Sequence, residues 1–189
     1  MARTRENCQG FSLIEVLVTL VLLNVGILGM LTLQGKSIQY TQHAVNRNLA
    51  VTLANELSGI MRAHRDEFFN NKPPQAQAYT QLKSSTALYD SDGTLKLNAQ
   101  SCPAASLPQS ASEQAHCWLK AVEASLPGSQ DPEIKSAFKL CPSFKIGQCA
   151  GSDYHGASLE LQLAWRVKPG ECMDDLESSL CTYSTWIEL

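Results

Sequence analysis

Gly10-Phe11-Ser12-Leu13-Ile14-Glu15-Val16-Leu17-Val18 opens the stretch whose reading decides the fold. Residues 11–33 are mostly apolar, and Glu15 is the one charged residue among them. A helix of about 20 mostly apolar residues crosses the hydrocarbon core of a bilayer, so this run is long enough to span. The polar residues 1–10 in front of it carry Arg3 and Arg5. The positive-inside rule puts that leader in the cytoplasm and everything after the run outside. A conventional secretory signal has an apolar region of about 7–15 residues ending at a small-residue cleavage site. The run here is longer and lacks such a site. Cys8 precedes the run, which is the wrong side for a lipidation cysteine.

Glu15 is the most informative residue. A carboxylate inside a spanning segment costs about 2.5–3.5 kcal/mol on insertion scales and needs a partner. None stands nearby in sequence. The positive first turn of its own helix offsets part of the cost. If the chain is cut between Gly10 and Phe11, the new amino terminus of a neighbouring subunit supplies a cation, and charge pairing becomes an assembly signal. The plainer alternative is a carboxylate at the interfacial edge of an ordinary anchor.

These residues resemble the class III signal of type IV pilins and pseudopilins. The resemblance implies that a prepilin peptidase cuts after Gly10, that the new N-terminal Phe11 is methylated, and that Glu15 acts in subunit addition. Residues 22–34, Leu-Leu-Asn-Val-Gly-Ile-Leu-Gly-Met-Leu-Thr-Leu-Gln, further resemble the PilV group of minor pilins, with a fainter echo at residues 118–128, where a tryptophan helix ends in Leu-Pro-Gly. The implied partners are the major pilin and other minor pilins, the prepilin peptidase, an inner-membrane assembly platform and a tip adhesin. The implied location is the bacterial inner membrane, single-pass with the C-terminal domain periplasmic, and then the pilus at the cell surface.

Beyond the run, Val45, Leu49, Leu53, Leu57, Ile60, Met61, His64 and Phe68 recur at three- and four-residue steps. No proline intervenes before Pro73-Pro74, so one helix is expected over residues 11–70, with Gly26, Gly29 and Gly35 as points of bending or close packing. Gly26 and Gly29 do not make a G-x-x-x-G pair. The stripe reads as structural core and His64 as a packed histidine.

Residues 72–109 are rich in proline, serine, glutamine and alanine and read as loop, apart from a tight turn between short strands at residues 89–95. Asp90 and Asp92 in that turn lack the distal glutamate of a calcium loop. Ser110 followed by Glu113 is a capping box, after which Trp118, Leu119, Val122 and Leu126 form a helical face that stops at Pro127-Gly128. Residues 158–167 alternate Leu159, Leu161, Leu163, Trp165 and Val167 with Glu160, Gln162, Ala164 and Arg166, a strand with one core face. A second strand is expected at residues 182–189.

Six cysteines follow residue 100: Cys102, Cys117, Cys141, Cys149, Cys172 and Cys181. They contain no C-x-x-C pair, and His43, His64, His116 and His155 do not share metal-ligand spacing with them, so no metal site is expected. An oxidising compartment accounts for them better, because disulfides persist outside the cytoplasm. Six cysteines allow 15 connectivities in principle. The expected pairs are sequence neighbours: Cys172 with Cys181 closing a hairpin loop, Cys102 with Cys117, and Cys141 with Cys149. Each closure typically contributes about 2–4 kcal/mol.

The formal net charge is −3, with no run of lysine or arginine, so no nucleic-acid partner is expected. No nucleophile signature, zinc-protease motif or phosphate-binding glycine loop is present, and Asp174, Asp175 and Glu177 read as a solvated acidic turn. The expectation is a non-enzyme without cofactors. Its fold is α+β and pilin-like: a long N-terminal helix, transmembrane and then amphipathic, packed on a small antiparallel sheet with a short second helix. The expected organisation is a cleaved leader at 1–10, a transmembrane and filament-core helix at 11–33, its amphipathic continuation at 34–70 and a disulfide-stapled head at 71–189. The leading expectation is a minor pilin acting in pilus assembly or priming, adhesion and twitching motility. A minor pseudopilin of a type II secretion system is the alternative, and a singly anchored periplasmic domain that never polymerises is the third reading.

Overall fold

The computed structural model describes residues 12–97, 102, 107–150, 154, 156–172 and 178–189. The chain is α+β, with a long N-terminal apolar helix, two antiparallel sheets and a short second helix. It divides into two compact units, Met1–Gln42 and His43–Leu189.

Helix α1 runs Leu13–Ala63 without a break through Gly26, Gly29 and Gly35. In the second unit its buried residues are His43, Ala50, Leu53, Ala54, Leu57 and Met61, one stripe at helical spacing. Val45, expected on that stripe, is exposed; Leu49 and Ile60 are partly buried, and His64 is half-exposed rather than packed. The small side chains of Ala50 and Ala54 let the helix approach the core closely.

The helix also stops earlier than residue 70. A 3-10 turn at Arg65–Glu67 leads into strand β1, Phe69–Asn71, which pairs antiparallel with β2, Thr80–Leu82. Phe68 and Phe69 are both buried, and the backbone carbonyl of Phe68 accepts from Lys83 N at 2.8 Å. Strand pairing across the residues read as loop therefore overrides a sequence that has no helix breaker at this point.

Helix α2, Ala111–Ser125, starts on the capping box: Ser110 Oγ accepts from Glu113 N at 3.2 Å, and Glu113 Oε2 accepts from Ser110 N at 3.2 Å. Its face of Ala115, Trp118, Leu119 and Val122 is buried, and the indole Nε1–H of Trp118 donates to Leu53 O of α1 at 2.8 Å. Gly128, with φ +78°, turns the chain past the helix into the four-residue helix α3, Pro132–Lys135.

The larger sheet has the order β3-β4-β5, all antiparallel: Lys139–Pro142, Ser158–Arg166 and Leu180–Glu188. Leu159, Leu161, Leu163 and Trp165 of β4 are buried on one face. The His43 ring lies 6.0 Å from that of Trp165, and the Arg47 guanidinium lies 5.9 Å from the Tyr183 ring centre, which places residues 43–63 of α1 on this face. The other face of β4 is not the open polar surface its sequence suggests. Ala164 is fully buried and Glu160 is 3% exposed, because β4 is the central strand and residues 131–149 fold across it. Gly147 N donates to Glu160 Oε1 at 2.7 Å, Gln162 Nε2 donates to Ala137 O at 2.8 Å, and Arg166 pairs with Asp131 at 3.0 Å.

The turn at residues 89–95 is closed by Asp90 N donating to Thr94 O at 3.0 Å and Gly93 N to Asp90 O at 2.9 Å. Gly93 has φ +81°, and a Cβ there would stand 2.7 Å from Cys141 Cβ, so the position requires glycine twice over. Tyr89 beside it is buried, its hydroxyl donates to Lys83 O at 2.8 Å, and burial holds the phenol well above its ordinary pKa.

Candidate assembly helix

Helix α1 begins just after Ser12, whose carbonyl accepts from Glu15 N at 3.0 Å and Val16 N at 3.3 Å. Glu15 therefore stands in the first turn, where the exposed peptide N–H groups favour a negative charge. No cation pairs with its carboxylate among the described residues. Gly10 and Phe11, the expected cleavage and methylation positions, lie outside the described residues, as do Cys8 and the acidic group Asp174, Asp175 and Glu177.

Every described side chain from Ser12 to Ile38 is exposed, including Leu13, Ile14, Leu17, Leu22, Leu28 and Leu33. The hydroxyls of Thr19 and Thr32 donate to Val16 O and Leu28 O, both at 2.8 Å, so these polar groups are satisfied within the helix. The result is a cylinder of apolar surface with an internally bonded backbone, the form a chain must take to enter a bilayer or a sheath of like helices. A water-facing protein does not normally leave so large a continuous apolar area uncovered.

In the second unit, Cys102 is bonded to Cys117, Cys141 to Cys149 and Cys172 to Cys181. The first ties residue 102 to α2, the second closes the turn that crosses Glu160, and the third links the segment after β4 to the start of β5. Sequence spacing separated the histidines from the cysteines, but the fold brings His43 close to Cys172 and Cys181, with their donor atoms within 4.8 Å of one another. The two sulfurs are bonded to each other, which leaves the imidazole as the single free donor of that group. Asp90 and Asp92 serve the turn: Asp92 accepts from Thr94 N at 3.0 Å and from Thr94 Oγ1 at 2.9 Å, bonds that hold its carboxyl below the ordinary value, while Asp90 pairs with Lys96 at 3.3 Å.

Residues 5–31 match the family described as the prokaryotic N-terminal methylation motif. No curated protein and no solved structure shows a significant match to the chain. The motif supports a type IV pilin-like or pseudopilin protein, and it implies processing by prepilin peptidase and assembly with other pilins. Together with the apolar helix it fits a membrane-anchored pilin. The class is structural rather than enzymatic.

Proposed function

We propose that the chain is a minor pilin of a type IV pilus, of the PilV group, processed at Gly10, methylated at Phe11 and added to a filament or its priming complex through residues 11–33. The observation that carries this reading is a single carboxylate, Glu15, in the first turn of a helix whose residues 13–33 are otherwise uncharged, mostly apolar and all exposed. A carboxylate of this kind is costly in lipid and becomes favourable when a neighbouring subunit's amino terminus meets it. Residues 43–189 then form the head that stands outside the membrane, stapled by its disulfides, and adhesion and twitching motility follow from a place at the pilus surface beside the major pilin, other minor pilins and a tip adhesin. Residues 22–34 favour the pilus over the type II secretion pseudopilin, which shares the leader and the helix.

Replacing Glu15 with leucine in the full chain tests the reading. The variant should still be cleaved and inserted, while its amount in sheared filaments falls more than about tenfold, the effect expected from losing a pairing worth a few kcal/mol. Unchanged incorporation into filaments would overturn the role of the charge. Unchanged cellular function without any filament-bound protein would favour an anchored domain.

A further inference from the structure

The two edges of the three-stranded sheet are treated very differently. On the β3 side most of the outward groups are taken: Leu140 N donates to Gly93 O at 2.7 Å, Phe138 O accepts from Leu95 N at 3.1 Å, and Pro142 O accepts from Ala150 N at 2.6 Å. The strand is four residues long, starts with Lys139 and ends on Pro142, which has no N–H to offer. Short length, lysine, proline and a covering segment are the usual means of blunting an edge.

Among the described residues, the β5 edge has none of these over its centre. The hydrogen bonds Val167 N to Ser179 O and Leu189 N to Ala157 O fix which residues of β5 bond inward: the odd-numbered ones pair with β4. The even-numbered residues Leu180, Thr182, Ser184, Trp186 and Glu188 therefore aim their N–H and C=O groups away from the sheet. The row is closed at Leu180 and half-closed at Glu188, where the carbonyl is taken. Ser178 Oγ bonds both the N–H and the carbonyl of Leu180, at 3.0 and 2.9 Å, and Arg62 Nε donates to Glu188 O at 3.3 Å. Between them, no hydrogen bond among the described residues takes the outward backbone groups of Thr182, Ser184 or Trp186. Thr182 and Trp186 are exposed, the latter by 50%, and β5 contains no proline, no lysine and no bulge.

We infer that the β5 edge is an interface that pairs antiparallel with β5 of a second copy of this chain, centred on Ser184. In that register Ser184 faces Ser184 and Thr182 faces Trp186 of the other copy, so the three open residues on each side make three doubly bonded pairs and leave no free edge group among them. The two ends of the row also correspond, since Leu180 then lies opposite Glu188. Glu188 is the one charged residue of β5, and this register keeps the two copies of it at opposite ends, so no like charges meet. The partner is specified by self-complementarity: the three open residues of the row fall on the three open residues of its twofold image, and its obstructed ends fall on obstructed ends. This inference concerns the head and does not depend on how the N-terminal helix assembles.

Proline at position 184 removes an outward N–H and no inward ladder bond, so Ser184→Pro blocks the edge while sparing the pairing with β4. Ser184→Ala is the control, because both substitutions lose the Ser184 hydroxyl, which lies 3.4 Å from Gln162 Oε1. Native mass spectrometry of the full chain released from detergent micelles should show a two-copy species in the wild type and in Ser184→Ala, and its loss in Ser184→Pro. Amide exchange on the wild type supplies a second reading that needs no variant: the N–H groups of Thr182, Ser184 and Trp186 should be protected at high concentration and lose that protection on dilution, while the inward amides of Tyr183 and Thr185 stay slow. Fast exchange of the three edge amides at every concentration, or equal dimer in all three proteins, would overturn the proposal.

Discussion

Two stretches of one helix, residues 13–42 and 43–63, obey different rules. The first has no buried side chain among its large apolar residues and is nearly free of charge; the second buries a narrow stripe and keeps its other faces mostly polar, with Val45 the large apolar exception. What holds the first as a helix is the internal bonding of its backbone and its apolar surroundings, with Thr19 and Thr32 turned inward upon the helix itself. What holds the second is tertiary packing, Leu53, Leu57 and Met61 against the sheet and Trp118 bonded to Leu53 O. Continuity of secondary structure thus conceals a change in solvent. An apolar residue in the first stretch answers to lipid or to a neighbouring helix, whereas the same residue type in the second answers to the core of its own head.

The sharpest way to break this distinction is to remove one leucine from each stretch. Leu57→Ala should destabilise the head by about 2–5 kcal/mol, the usual cost of emptying a fully buried leucine site. Leu20→Ala should change head stability by less than about 0.5 kcal/mol, as for a position outside the packed core. Denaturant unfolding in micelles, followed through the fluorescence of the buried Trp118 and Trp165, measures both. Equal effects would show that the two stretches are not energetically separate.

A smaller effect is expected at Gly93. Gly93→Ala forces an L side chain into φ +81° against Cys141 Cβ, and should cost about 1–3 kcal/mol in the same assay. Ser110→Ala removes the cap of α2 and should cost about 1 kcal/mol, with loss of helical signal confined to the first turn by amide exchange. The smallest expected effect is on pH. Backbone N–H groups of Gln109 and Ser110 hold the Glu113 carboxyl below its ordinary 4.5, and Thr94 holds Asp92 below its ordinary 3.8. A depressed folded-state value means that each group's stabilisation is complete above the unfolded value and disappears as pH falls through the folded one. Both groups are solvent-exposed, so the melting temperature of the head should fall only slightly below pH 4.5, and Glu113→Gln with Asp92→Asn should flatten that fall.

Much of the architecture was legible because its signals are local. The uninterrupted apolar run needs no partner to be recognised, the Ser110 and Glu113 pair marks a helix start within four residues, and the alternation from Leu159 to Trp165 spans a whole strand. The parts that escaped depend on distant residues. Strands β1 and β2 are three residues each, with pairing that no local pattern announces, and that same pairing ends α1 at Ala63 where the sequence offers neither glycine nor proline. Strand β3 is too short to show a period. Glu160 looks like a solvent-facing residue until the 143–149 turn is laid over it, and His43 meets Cys172 and Cys181 across more than half the chain. The chemistry of the N-terminal segment was read from Glu15 in its apolar setting, whereas the open edge of β5 became visible through hydrogen-bond register alone.

Mass spectrometry of the native N-terminal peptide and intact chain from sheared filaments distinguishes a processed assembly helix from a plain anchor. The expected result is a chain that starts at N-methylated Phe11 and is present in the filament fraction. An unprocessed chain beginning at Met1 or Ala2 would contradict it, and methylated Phe11 confined to the cell envelope would contradict the pilus assignment in favour of the secretion pseudopilin.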